Sequence, residues 1–192
     1  MSNIISLDSY LTSFFSNAVP HSNVFNSFFS FFSLKGSSIF IWILVMLIVL
    51  IFEERKNPGV SKSDLKFLVI FSFAFILSFV VSDYALKNIF HRPRPSFAKA
   101  SEGRPSPKIL NFKFQISKCP SDYSFPSTHA TTAFAAATVL TYFDKKRWWF
   151  YYSVAIIISY SRIYLGCHYI IDILIGALLG FIISKVVTKI KT

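Results

Sequence analysis

Five runs of mostly apolar residues, 37–54, 65–86, 127–143, 148–166 and 168–188, end at charged or turn-forming residues and approach the length needed to cross a bilayer. A chain written this way cannot cover itself with polar surface: 53% of its 192 residues are hydrophobic and only 15% are charged. The pattern predicts an all-α fold, a polytopic transmembrane bundle with five spans, forming a single domain over 1–192 with no internal repeat. Residues 1–34 read differently. Leu7, Tyr10, Leu11, Phe14, Phe15 and Ala18 recur at helical spacing, Pro20 ends that helix, and the Phe-rich stretch from Val24 to Leu34 is too short to cross alone. They are expected to form an interfacial or broken sixth element. The start of the chain lacks the basic residues and cleavage site of a signal peptide, so it is expected to be retained. In the last run, Gly176 and Gly180 have the spacing that lets two membrane helices approach closely, and two incidental glycines would read the same way.

The net charge of +11 comes from 20 Lys and Arg against 9 Asp and Glu. In a soluble chain that balance would suggest nucleic acid as partner. Here the basic residues lie between apolar runs, where they meet anionic lipid, so the expected partner is the lipid bilayer and no nucleic acid is expected. Arg55, Lys56 and Lys62, then Lys145, Lys146 and Arg147, then Lys185, Lys189 and Lys191 mark three segments as cytoplasmic. The opposite face receives the 87–126 loop, although Lys87, Arg92, Arg94, Lys99, Arg104, Lys108, Lys113 and Lys118 run against a simple charge count. A loop this long is usually functional. Pro93, Pro95, Pro105, Pro107 and Pro120 forbid one long helix, Phe112 to Ile116 alternate as a short strand or an interface-hugging stretch would, and the loop is expected to form part of a lid.

Three charged clusters fall at helix ends on this same face: Lys87 to Pro95, Phe125 to His129, and Ser161-Arg162 followed by His168 and Asp172. Ionisable groups at the membrane boundary are costly and mark function by default. Lys87, Arg94 and Arg162 supply fixed positive charge, Ser127 adds a hydroxyl, and the helix beginning near Ser127 adds backbone N–H groups and the positive end of its dipole. An anion with several oxygens, such as phosphate, fits that donor set. His168 and Asp172 are four apart. On one helix the carboxylate would accept a hydrogen bond from one imidazole nitrogen and leave the other as a lone pair, as in an oriented nucleophile or base. His129 could donate a proton to a leaving oxygen. His21 and His91 receive no role. The sequence has no H-x-x-x-H pair, paired acidic cluster or close Cys pair, so neither metal nor cofactor is expected, and it lacks Gly-rich nucleotide loops and a G-x-S-x-G elbow.

At these residues the sequence resembles the type 2 phosphatidic-acid phosphatase superfamily, whose signature is K-x6-R-P, P-S-G-H and S-R-x5-H-x3-D. Lys87, Arg94 and Pro95 fill the first part, and Ser161, Arg162, His168 and Asp172 fill the third at the required spacing. The second reads Pro126-Ser127-Thr128-His129, with Thr in place of Gly. The resemblance implies an inner-membrane lipid phosphatase whose active site lies on the non-cytoplasmic face. His168 would attack phosphorus to give a phosphohistidine, Asp172 would orient it, and His129 would protonate the departing oxygen. Lys87, Arg94, Ser127, Arg162 and the N–H of Thr128 would hold phosphate oxygens, with Ser161 in support. The membrane lipid phosphate substrate would be undecaprenyl diphosphate, phosphatidylglycerol phosphate or the 1-phosphate of lipid A. Arg104, Lys108, Lys113 and Lys118 suit either a headgroup with several phosphates or a solvated basic loop. A non-catalytic lipid-phosphate binding or transport protein is a rival reading that the His168 and Asp172 pairing disfavours. A vanadate-dependent haloperoxidase is disfavoured by the short, hydrophobic chain. Cys119 and Cys167 both fall on the exported side, where two readings stand: a disulfide tying the loop to the third motif, or two small apolar side chains.

Overall fold

The computed structural model describes residues 2–33, 37–54, 62–95 and 119–190, and every regular element among them is a helix. They run in the order α1 (Ser2–Ser16), α2 (Asn23–Ser33), α3 (Ser37–Glu54) and α4 (Lys62–Val80). α4 continues through a π-helical turn, Val81–Leu86, into a final α-helical turn, α5 (Lys87–Phe90). α6 (Thr128–Phe143), a 3-10 turn (Lys145–Arg147), α7 (Trp148–Tyr164) and α8 (Ile170–Ile190) complete the chain. The proposed lid, the strand at 112–116 and the basic residues Arg104, Lys108, Lys113 and Lys118 lie outside the described residues, as do Arg55, Lys56 and Lys191.

Each of the five apolar runs forms a helix, and the expected count of five spans is not confirmed by helix length and composition. Among the described residues two helices, Ser63–Phe90 and Ile170–Ile190, are long and apolar enough to cross a membrane by length and composition. The reason is packing. α6 has 16 residues and sits between α4, α7 and α8, a place that favours small side chains over hydropathy. Most of its buried positions are small, Ala130, Ala133, Ala135, Ala136 and Ala137 with Thr128, Thr131, Thr132 and Thr138, beside Val139 and Leu140. Many large apolar residues of the surrounding helices face outward: Ile43, Leu44 and Leu47 on α3, Val69, Phe73 and Ile76 on α4, and Leu174, Leu178, Ile182 and Val186 on α8 are all exposed. A small-residue interior wrapped in Phe, Leu and Ile is stable against lipid rather than water, and it places the chain in a membrane.

α8 lies almost on the backbone of α6. A Cβ added to Gly180 would stand 2.0 Å from the carbonyl oxygen of Thr131, and one added to Gly176 would stand 2.8 Å from that of Ser127. One turn on, the hydroxyl of Ser184 donates to the carbonyl of Ala135 at 3.1 Å. The small-residue stripe expected from Gly176 and Gly180 is therefore the seam that sets the separation of these helices.

The N-terminal segment forms two helices of 15 and 11 residues, broken around Pro20 and packed on α7 and α8. Phe29 stacks on Tyr164 at 4.4 Å, the Tyr160 hydroxyl donates to the carbonyl of Phe15 at 2.8 Å, and the Tyr164 hydroxyl donates to Asn26 at 2.6 Å. Both helices sit at the end of the bundle where α6 and α8 begin, because their polar contacts are with the last turn of α7 and the first residues of α8.

Gly180→Ala should force α8 away from α6 and cost on the order of 1–3 kcal/mol, as overpacking does. Thermal unfolding of the detergent-solubilised protein measures it, and Ser184→Ala, which removes one hydrogen bond, should cost less.

Candidate active site

The first motif is shaped by an irregular helix. Asp83 lies in the π-helical turn four residues ahead of Lys87, and the two form an ion pair at 2.5 Å. Asp83 also accepts from the Thr128 hydroxyl at 2.9 Å, which fastens this turn to the start of α6. Asp122, from the segment before α6, makes a second ion pair with Lys87. At the end of α5, His91 adopts a left-handed conformation with φ 46° and turns the chain out of the helix, so that Arg92 and Arg94 run back over the bundle end. His91 itself meets Tyr123 edge-on at 4.6 Å.

Arg94 is buried and uses its whole fork. Nε donates to the Asp122 carbonyl at 2.9 Å and one amino group to the Asp122 carboxylate at 2.6 Å; the other reaches the Cys167 carbonyl at 2.9 Å and His168 Nε2 at 2.8 Å. Arg162, on the last turn of α7, is also buried. One of its amino groups donates to the carbonyl and hydroxyl of Ser33, while Nε and the other amino nitrogen have no hydrogen-bond partner among the described residues. A buried guanidinium with two idle donors is costly unless an anion completes it.

His168 fixes the chemistry. A guanidinium only donates, so Nε2 facing Arg94 must carry the lone pair, and Nδ1 must carry the hydrogen, which it donates to the Ser124 carbonyl at 2.8 Å. Burial, reinforced by the positive charges of Arg94, Arg162 and Lys87, holds this imidazole well below the usual histidine pKa. It is neutral at neutral pH. The expected hydrogen bond to Asp172 is corrected: His168 lies in the bend before α8, not on it, and Asp172 Oδ2 stands 3.6 Å from Nδ1. That oxygen accepts from the N–H of Tyr169 at 2.9 Å and so closes the first turn of α8, while Oδ1 accepts from Arg92 at 2.6 Å. The i, i+4 spacing was read as one helical face, but the chain bends between the two residues.

Lys87, Arg94, Thr128, His129, Arg162 and His168 line one cavity of about 450 Å³, together with Asp83 and Asp122. Of the expected site residues, Ser127 and Asp172 stand behind its wall. Ser127 is the N-cap of α6, its hydroxyl accepting from the N–H of Ala130 at 3.5 Å. The cavity's far side is apolar, formed by Ile39, Phe75 and Phe79. Sequence reasoning missed Asp83, Asp122, Ser124 and Arg92. Asp83 had a signal in its four-residue spacing to Lys87, whereas Ser124 acts through its carbonyl and had none. Cys119 and Cys167 form a disulfide, with Cα atoms 5.4 Å apart across 48 residues, so the segment carrying Asp122 and Ser124 is tied to the residue preceding His168. Among the described residues no group of three or more His, Cys, Asp or Glu side chains is arranged to hold a metal ion.

The family model described as the PAP2 superfamily matches residues 65–192. The chain is 29% identical to an undecaprenyl-diphosphatase of Sulfolobus acidocaldarius over 154 residues, 80% of this chain and 65% of that protein. It is 30% identical to a lipid A 4'-phosphatase of Porphyromonas gingivalis over 179 residues, 91% of this chain and 69% of that one. It thus spans about two thirds of the length of these relatives. The crystal structure of Aquifex aeolicus LpxE is similar with a TM-score of 0.62 at 26% identity, covering 93% of each chain.

Two outcomes follow. Burial alone would raise the Asp122 pKa, but the hydrogen bond from Lys87 and the charges of Arg94 and Lys87 override it and hold the carboxyl down at about 2. Its unfolded value is about 3.9, so its stabilisation is full above that pH and is lost as pH falls from about 4 to about 2. Melting temperatures across that window should drop less in Asp122→Asn than in the unaltered protein. Reduction of the disulfide should lower the melting temperature as well, since closing a loop of this size stabilises by about 4 kcal/mol in the chain-entropy account. Free thiol titration before and after reductant checks that the bond was present.

Proposed function

Because the chain belongs to the PAP2 superfamily, we propose that it is a membrane enzyme that hydrolyses a phosphomonoester or diphosphate carried by a lipid, through a phosphohistidine. One observation carries this reading: the lone pair of His168 Nε2 is held in place by the Nδ1 hydrogen bond to Ser124 and sits beside Arg94 in a cavity walled by three cations. A lone imidazole or a lone arginine cluster would not require the other.

In this mechanism the substrate phosphate takes its place among Lys87, Arg94, Arg162 and the N–H of Thr128, and replaces the Arg94 hydrogen bond on Nε2. Nε2 attacks phosphorus, the bond from phosphorus to the lipid-side oxygen breaks, and His129 delivers a proton to that oxygen. Water then attacks the phosphohistidine, giving up its proton to His129, and inorganic phosphate leaves as the pair of electrons returns to Nε2. The fixed donors stabilise the charge spread over the equatorial oxygens at each step. Asp172 lies behind the ring, where its charge opposes the positive charge that develops on the imidazole. Thr128, in the place of the family's Gly, turns its hydroxyl to Asp83.

The apolar wall of Ile39, Phe75 and Phe79 supports a lipid substrate, since the tails can leave the cavity between α3 and α4 while the headgroup stays among the cations. Undecaprenyl diphosphate, phosphatidylglycerol phosphate and lipid A phosphates all have that form. Lys145, Lys146 and Arg147 lie at the opposite end of α6 from His129, which supports a site facing away from the cytoplasm.

Phosphate release from a panel of these three lipids tests the proposal. His168→Ala should lower kcat by about 10³-fold or more and Arg162→Lys by about 10²-fold. Vanadate should inhibit, EDTA should not, and kcat should be bell-shaped in pH, because in the bound complex His168 must be neutral while His129, whose protonated form the phosphate's negative charge favours, must carry its proton. Undiminished turnover by His168→Ala, or no release from any of the three lipids, would overturn it.

A further inference from the structure

α1 precedes the residues that match the family, yet it places a charged side chain next to the nucleophile's segment. Asp8 is 1% exposed. Its Oδ2 accepts from one amino group of Arg92 at 2.5 Å, and its Oδ1 accepts from the backbone N–H of Ile171 in the first turn of α8 at 3.1 Å. One turn along α1, the Thr12 hydroxyl accepts from the N–H of Ile170 at 3.0 Å. The other amino group of Arg92 donates to Asp172 Oδ1 at 2.6 Å, and the guanidinium lies 4.0 Å above the ring of Tyr169. One guanidinium is thus shared between two buried carboxylates, and the second is the one behind His168.

The sharing has a geometric consequence. An arginine facing a single carboxylate tends to take both its oxygens in a two-pronged clamp. Asp8 occupies one amino group of Arg92, so Arg92 holds only Oδ1 of Asp172. Oδ2 stays with the N–H of Tyr169, 3.6 Å from His168 Nδ1. Two buried carboxylates bridged by a partly buried arginine are also a poor way to gain stability, because the desolvation of the charges offsets much of their attraction. α1 is docked independently by Tyr160 on Phe15 and by Ser16 on the Tyr164 carbonyl.

Resting on the phosphohistidine reading above, we propose that Asp8 is a positioning residue for the nucleophile: through Arg92 it sets which way the Asp172 carboxylate faces, and so the charge beside His168. The segment ahead of the family match is then a working part of the site.

The test uses the full chain in detergent, with Asp8→Asn and Ser16→Ala compared with the unaltered protein. Three readouts are taken: kcat and KM on the best lipid phosphate of the panel, the melting temperature, and the nitrogen chemical shifts of His168 in protein carrying 15N-histidine. In Asp8→Asn the His168 resonances should move and kcat should fall by about 10- to 100-fold with KM within about 3-fold, as for other groups that orient a catalytic ligand. Asp8→Glu should recover part of the loss. Ser16→Ala, which loosens α1 without touching a carboxylate, should lower only the melting temperature. Unchanged His168 resonances in Asp8→Asn would overturn the proposal, and so would equal movement in Ser16→Ala, which would reduce Asp8 to a docking contact. If no lipid in the panel is hydrolysed but the resonances move in Asp8→Asn alone, the positioning stands and the proposed reaction falls.

Discussion

Three cations, Lys87, Arg94 and Arg162, are brought out of water into one cavity at the end of an apolar bundle, each 5% exposed or less. Their mutual repulsion and desolvation have to be met by something. In the resting protein Asp83 and Asp122 meet it for Lys87, and Asp122 with a row of carbonyl oxygens meets it for Arg94. Arg162 is met only on one side, by Ser33. The cavity therefore has a gradient of satisfaction across it, complete at Lys87 and Arg94 and incomplete at Arg162. In the proposed reaction an entering phosphate would find its least contested donors there.

That arrangement depends on helices being closer than side chains normally allow. Because Gly176 and Gly180 set α8 against the backbone of α6, the first residues of the two helices meet, and the N–H of Ser127 donates to the carbonyl of Asp172 at 3.0 Å. The second and third motifs are thereby joined through backbone alone, with no side chain to adjust. The first motif is joined to them by side chains, through Asp83 on Thr128 and through Arg94 on Cys167 and His168. Precision in the cavity thus begins with two missing Cβ atoms some distance from it.

The sequence made the helices and most of the cavity legible for a simple physical reason: apolar runs and charged residues at their ends are local signals. Six of the eight expected site residues, Lys87, Arg94, Thr128, His129, Arg162 and His168, do line the same cavity. What was not legible depended on conformation. Asp172 was placed beside His168 by helical spacing, yet the bend at Cys167 and His168 moved the ring off the helix and gave its Nδ1 hydrogen to a main-chain carbonyl. A carbonyl partner leaves no trace in side-chain identity. Only two helices meet the length and hydropathy of a span among the described residues for a related reason, since α6 owes its central position to Ala and Thr rather than to the hydropathy by which a span is recognised.

The same reasoning explains why a neutral imidazole can be kept beside so much positive charge. A protonated His168 would add a fourth cation to the cavity, and its Nε2 hydrogen would point at Arg94, which has only hydrogens to offer. The tautomer that these partners require removes both problems: Nδ1–H is spent on Ser124 and Nε2 accepts from Arg94. In the proposed reaction the charges that attract phosphate are therefore also what keeps the nucleophile unprotonated. Once Nε2 bonded to phosphorus, the imidazole would become cationic while the phosphoryl oxygens would bring compensating negative charge to the same three cations. Attraction of the substrate and activation of the attacking nitrogen would then come from one set of charges, so that a residue such as Arg94 could not be weakened for one role without being weakened for the other.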